Sequence, residues 1–129
     1  MEQKISNIKL KKKNFKVLVI DDEIEILDMV SELAQALGYD IMTANTAEKA
    51  LALIPYCNGI LSDVNMPDKV RLNEILKDAY INVPVIRFSA ANQTGLVNFM
   101  LSKPFSLANL KDAFEQLELF SGLNQKDVA

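Results

Sequence analysis

Five residues in this chain have the side chains that phosphoryl-group chemistry uses, and each stands where an apolar run stops. Asp21 and Asp22 follow Phe15-Lys16-Val17-Leu18-Val19-Ile20, and Asp63 ends Gly59-Ile60-Leu61-Ser62. Ser89 closes Val83-Pro84-Val85-Ile86-Arg87-Phe88, and Lys103 follows Asn98-Phe99-Met100-Leu101-Ser102. Carboxylates gathered at one place repel: at about 4 Å with an effective dielectric near ~20, each like pair costs about 4 kcal/mol. A hard divalent cation offsets that repulsion, and Mg²⁺ takes oxygen ligands, usually one or two carboxylates with waters and phosphate oxygens. Lys103 adds a flexible positive charge suited to a phosphoryl oxygen, and Ser89 adds a hydroxyl donor. The set holds a carboxylate nucleophile, a metal seat, a cation and a hydrogen-bond donor, the parts that phosphoryl transfer needs.

The elements that must bring these residues together are legible in the spacing of apolar residues. The β-branched run 15–20 reads as a buried strand ending in Asp21-Asp22-Glu23. Ile26, Val30, Leu33 and Leu37, widened by Leu27 and Ala34, recur at helical spacing, and Gly38 stands where a left-handed cap ends a helix. Tyr39–Ala44 reads as a second strand. Asn45 with Glu48 resembles a capping box for a helix over Thr46–Ile54, closed by Pro55. Gly59–Asp63 is a third strand, and Leu72, Ile75, Leu76 and Ala79 mark another amphipathic helix. Val83–Ser89 and Asn98–Ser102 complete the strands, and a last helix, capped by Ser106, carries Leu107, Leu110, Phe114 and Leu117. Alternating strands and helices imply right-handed crossovers and a doubly wound α/β parallel sheet of five strands, covered on both faces. In such sheets function collects at the carboxyl ends of the strands, where the five polar residues fall.

Length and composition narrow the classes. At 129 residues and 14.4 kDa the expectation is one domain, with no room beside it for a catalytic or DNA-binding module. The absence of histidine excludes His-ligated zinc, Ser-His triads and a phosphohistidine within the chain. The single cysteine, Cys57, cannot form a disulfide within the chain and reads as an apolar residue of a reduced compartment. Residues 1–16 carry six lysines against Glu2, a surplus of +5, while the remainder holds sixteen acids against eight bases, or −8. That division predicts a basic, flexible leader at 1–14, an acidic domain at 15–120 and a polar tail at 121–129. An acidic body argues against nucleic-acid binding. No segment reaches the roughly 20 apolar residues of a membrane span, and the 17–20 run is too short for a signal peptide. A cytoplasmic protein with no membrane contact is the expectation.

With these residues in place, the chain resembles the CheY-like receiver domains of two-component response regulators. Val17-Leu18-Val19-Ile20-Asp21-Asp22-Glu23 is similar to that family's first strand and acidic pair, and Asp63-Val64-Asn65-Met66-Pro67 to its phosphoacceptor turn. Phe88-Ser89-Ala90 is similar to its switch strand end, and Lys103-Pro104-Phe105 to its lysine motif. Any one is weak; four in order, spanning Phe15 to Phe120, are specific. The resemblance implies a flavodoxin-like sheet in the order 2-1-3-4-5.

Carried over by position, Asp63 would accept a phosphoryl group from a phosphohistidine on a histidine kinase or phosphotransfer protein. Asp22, Asp63 and the backbone carbonyl of Asn65 would ligate Mg²⁺, with Asp21 acting through a water. Lys103 and Ser89 would bond phosphoryl oxygens, and Ala90 would let a backbone amide approach. Lys103-Pro104 would be cis, at a cost of about 0.5–1 kcal/mol. Asn65 and Ala91 would tune the attack of water on the acyl phosphate. The chain would then be a stand-alone signalling protein and no enzyme beyond its own phosphorylation and dephosphorylation, acting on a downstream protein that the sequence does not name.

Three departures fall on the output side. Too few residues separate Ser89 from Asn98 for a usual crossover of about a dozen, so the family's fourth helix is expected to be shortened or missing. The Asp-Gly pair common after Met-Pro is absent. Met100 stands where the family has an aromatic residue three before the lysine. Output is therefore expected from another surface, such as the first or fifth helix, or a homodimer built on the sheet edge.

Simpler readings stand beside these. Asp21-Asp22 alone is a solvated strand end or a pair of acids favoured by a helix N-terminus. Asp63 alone starts a turn, Lys103 is a surface lysine, and Ser89 caps or turns the chain. Met29, Met42, Met66 and Met100 read as packing. Arg87, inside an apolar strand, asks for an exposed sheet face or an interface. Two other function classes remain: a receiver-like interaction module that works without phosphorylation, and, ranked last, a Mg²⁺-dependent phosphohydrolase. The last lacks a second acid two residues beyond Asp63.

Overall fold

The computed structural model describes residues 14–63, 65–89, 100–102 and 106–128, and the backbone only of residues 89, 100–102 and 122–128. Five parallel strands form one sheet in the order β2-β1-β3-β4-β5: β1 (Lys16–Ile20), β2 (Asp40–Ala44), β3 (Gly59–Asp63), β4 (Val85–Ser89) and β5 (Met100–Ser102). Among the described residues, four α-helices join or follow them: α1 (Ile24–Ala36), α2 (Ala47–Leu53), α3 (Lys69–Ala79) and α4 (Leu107–Val128). A short 3-10 turn, Ile54–Tyr56, holds Pro55 in its first turn and closes α2.

The unbroken apolar run of β1 has its reason in this arrangement. Val17 to Ile20 are all fully buried, because alternate side chains enter different cores. Val17 and Val19 pack with Leu61, Ile86 and Phe88 beneath α1 and α4, where Leu27, Val30, Leu110, Phe114 and Leu117 meet them. Leu18 and Ile20 pack with Ile60 and Val85 beneath α2 and α3, against Ala47, Ala50, Leu72, Ile75 and Leu76. Each such side chain contributes about 1.5–3 kcal/mol by leaving water, so the central strands hold the sheet rigid under whatever their carboxyl ends carry.

Two glycines are dictated by geometry. Gly38 ends α1 with φ 93°, the left-handed cap its position predicts. Gly59 opens β3 where a Cβ would lie 3.2 Å from the Phe15 ring and 3.3 Å from the Leu117 Cβ.

Several local expectations shift. The cap of α2 is Thr46, whose Oγ1 accepts the Lys49 N–H at 3.1 Å, and not Asn45; the capping box is displaced by one residue and so loses its glutamate. Pro84 lies just before β4, outside the ladder, where its missing N–H costs nothing. Ser106 does cap α4, reciprocally with Asn109: Ser106 Oγ accepts the Asn109 N–H at 3.1 Å and Asn109 Oδ1 accepts the Ser106 N–H at 3.2 Å. Leu107 is 48% exposed and Ala113 takes a place in the core instead. α4 continues to Val128, through the segment read from sequence as a polar tail. The connection from β4 to β5 is confined to residues 90–99, which, like the basic leader through residue 13, lie outside the described residues.

Candidate functional site

The chain order of the strands decides what meets at their carboxyl ends. β1 is flanked by β2 and β3, and Ile20 pairs in register with Ser62. The residues that follow, Asp21 and Asp63, therefore leave the sheet side by side. Asp21 and Asp63 are buried, at 0% and 3% exposure, while Asp22 faces solvent. One carboxylate oxygen from each of Asp21, Asp22 and Asp63 lies within 4.8 Å of the others.

Backbone amides fix the two buried acids. Asp21 Oδ1 accepts the Glu23 N–H at 2.9 Å, and Asp63 Oδ1 accepts the Asn65 N–H at 3.0 Å. Each bond turns the chain over the acid that makes it, as Asp side chains do two residues along. The Asp21 N–H is itself held by the Ala44 carbonyl at 3.1 Å, so the ends of β1 and β2 are tied. Ser62 Oγ donates to the Asp63 carbonyl at 3.0 Å.

Three carboxylates in so small a space, two of them out of water, make an oxygen-only donor set of the kind a hard divalent cation takes. Burial strengthens both their mutual repulsion and their attraction to any cation brought among them. The arrangement thus combines an electrostatic seat for a metal with a buried carboxylate whose second oxygen can serve as a nucleophile.

The sequence reading named Asp21, Asp22, Asp63, Asn65, Ser89 and Lys103. The first three come together as described, and Asn65 adjoins them through its amide. Ser89 closes β4 one residue past Phe88, the register partner of Asp63, so its backbone ends beside the acids; its side chain is outside the described residues. Lys103, Ala90, Ala91 and the side chain of Met100 also lie outside them.

One structural residue of the site escaped the sequence reading. Asp68, to which the sequence analysis assigns no role, turns its carboxylate to the α2 N-terminus and accepts the Ala47 N–H at 2.9 Å. No local signal marks that partner, which lies twenty-one residues earlier in the chain.

No family-level sequence profile matches the chain. Among curated proteins it is 37% identical over 81 residues to the transcriptional regulatory protein CpxR homolog of Haemophilus influenzae, covering 60% of this chain and 35% of that protein. It is 27% identical over 119 residues to the protein-glutamate methylesterase/protein-glutamine glutaminase of Trichodesmium erythraeum, covering 80% of this chain and 34% of the relative. The chain thus spans about a third of the length of these curated relatives. Among solved structures, the receiver domain of the Francisella response regulator 1452 is 31% identical, with a TM-score of 0.70, 86% of this chain covered and 99% of that one. Among the described residues, no helix is long and apolar enough to cross a membrane.

Proposed function

Because this chain belongs to the CheY-like receiver domains of two-component response regulators, we propose that Asp63 is its phosphoacceptor, taking a phosphoryl group from a phosphohistidine on a histidine kinase or phosphotransfer protein. The observation that carries the reading is the meeting of Asp21, Asp22 and Asp63 within 4.8 Å at the carboxyl ends of β1 and β3. In the transfer, a carboxylate oxygen of Asp63 attacks phosphorus, the P–N bond breaks, and its electron pair leaves with the donor imidazole. The product is an aspartyl phosphate. The Asn65 amide, bonded to Asp63 Oδ1, fixes the orientation of the carboxylate that reacts.

Asp22, Asp63 and the Asn65 carbonyl would hold Mg²⁺, with Asp21 acting through a water. When bound, Mg²⁺ supplies positive charge that neutralises the acids and the incoming phosphoryl oxygens. Lys103 and the Ser89 hydroxyl would bond phosphoryl oxygens, at the ends of the two strands that follow β3 in the sheet. Signalling would proceed by contact with another protein, through α1, α4 or the sheet edge, since residues 90–99 leave little chain for a full helix between β4 and β5. The same brevity favours a second reading, a receiver fold that binds its partner without phosphorylation.

Incubation with acetyl phosphate and Mg²⁺, followed by intact mass measurement, separates the readings. One phosphoryl adduct, absent in Asp63→Ala and absent without Mg²⁺, is the expected result. No adduct on a folded chain assigns the second reading, and steady turnover of simple phosphate esters would assign a hydrolase.

A further inference from the structure

Arg87 has no place in the chemistry above, yet it is the one charged residue within β4. Its cross-strand neighbours are Ser62 on β3 and Met100 on β5, and its side chain crosses the sheet face to α3, where it donates from Nη2 to Asn73 Oδ1. The guanidinium is half-buried, and its Nε, wholly covered, finds no acceptor among the described residues. Burial without a neighbouring negative charge also lowers its hold on its proton, although a guanidinium stays ionised.

The helix beside it keeps its carboxylates out of the cleft that Arg87 lines. Asn73, Leu76 and Lys77 line a cavity of about 170 Å³ together with Arg87. Glu74 and Asp78 line the groove shared with α2, to whose wall Lys77 also contributes, and Glu74 there meets Arg71. Lys77 makes no ion pair with a described residue. The connecting segment 90–99, Ala-Ala-Asn-Gln-Thr-Gly-Leu-Val-Asn-Phe, contains no ionisable side chain, so it cannot bring a counter-charge. Among the described residues, two cations and an amide therefore line a small cleft to which no carboxylate contributes, on a domain whose body is otherwise acidic.

We propose that this β4–α3 cleft is a docking point for an acidic side chain of a partner protein, with the Arg87 guanidinium and the Lys77 ammonium receiving the carboxylate. A half-buried guanidinium lacking a counter-ion is costly to keep, and a carboxylate is the planar acceptor that matches its fork. The cavity has room for one side chain rather than a nucleotide, and Leu76 gives its wall an apolar stretch against which the methylenes of a glutamate pack. The site is independent of Asp63 chemistry and is present in the unphosphorylated chain.

The chain contains two arginines, Arg71 and Arg87, so the Nε–H region of a ¹⁵N spectrum holds two assignable signals. The full ¹⁵N-labelled protein would be titrated with an acetylated, amidated hexapeptide of alternating glutamate and alanine, with its glutamine counterpart, and with inorganic phosphate, at matched ionic strength. The expected result is a saturable shift of the Arg87 signal and of the amides of Asn73 and Lys77 with the glutamate peptide alone, while Arg71, held by Glu48 at 3.0 Å, stays put. Arg87→Met should abolish the amide shifts. Lys77→Gln, an exposed helix position that leaves folding undisturbed, should weaken binding by about tenfold. An equal saturable response to phosphate would make this a free-anion site and overturn the proposal, as would no saturation, or undiminished binding in Lys77→Gln and Arg87→Met.

Discussion

The carboxylate of Asp68 accepts the backbone N–H of Ala47 at 2.9 Å, so the loop that follows β3 is anchored to the first residue of α2. Thr46 already satisfies one orphan amide of that helix, and Asp68 satisfies another from outside it. The loop that carries Asn65 is thereby pinned at its far end as well as at Asp63.

Asp68→Ala should destabilise the fold by about 1–2 kcal/mol, the loss of a charge-assisted bond to a helix N-terminal amide. Asp68→Asn keeps an acceptor and should cost less. Urea unfolding of the three proteins checks both the sign and the order; equal midpoints would show that the bond contributes nothing.

The acid cluster predicts opposite responses to charge removal and to metal. Without divalent ions Asp21→Asn should be more stable than wild type, because one of three crowded negative charges is gone while Oδ1 still accepts from Glu23. Added Mg²⁺ should raise the wild-type Tm, by an amount that corresponds to about 1.4 kcal/mol at tenfold excess over Kd. That gain should shrink in Asp21→Asn and in Asp63→Asn. Thermal scans with EDTA and with Mg²⁺ test the pair of trends together.

A pH dependence follows from Tyr39. Its ring packs against Phe114, centroids 4.9 Å apart, and its hydroxyl donates to Glu118 Oε1 at 2.7 Å. Burial first, then the hydrogen bond and charge of Glu118, hold the phenol well above its ordinary value. A group raised in the folded state stabilises fully below its unfolded value, about 10 for tyrosine, and progressively less above it. Wild-type stability should therefore fall above about pH 10 by up to about 1.4 kcal/mol per pH unit more steeply than that of Tyr39→Phe. Parallel curves in denaturant titrations at pH 9 to 11.5 would falsify the assignment.

Cys57 makes a kinetic prediction. Burial pushes its thiol up to about 11, and its Sγ donates to the Ile54 carbonyl at 3.2 Å. At pH 8 the thiolate fraction should be roughly two orders of magnitude below that of a free cysteine. Labelling by an aromatic disulfide reagent should be correspondingly slow on the folded chain and ordinary in denaturant. Rapid labelling under native conditions would mean that the segment after the 3-10 turn opens readily.

Much of the fold and of the acid site is legible in the residues because its signals are local. Apolar runs that stop at Asp21-Asp22 and at Asp63 mark strand ends, and the 72-75-76-79 spacing marks a buried helix face, all four of whose residues are in the core. Parallel order then places strand ends on one edge without further information. What the linear pattern leaves open is decided by register and packing. Ile20 lies beside Ser62 only once β1 and β3 pair, and it is this alignment that crowds Asp21 against Asp63. Asp68 reaches Ala47, and Arg87 reaches Asn73, across loops whose closure no local spacing records. Thr46, extended at φ −142° and ψ 162°, takes the cap in place of its neighbour because its Oγ1 meets the Lys49 N–H of the first turn. Periodicity reports which way a side chain faces within its own element; which group it meets there depends on the rigid-body placement of another element, and that belongs to the whole fold.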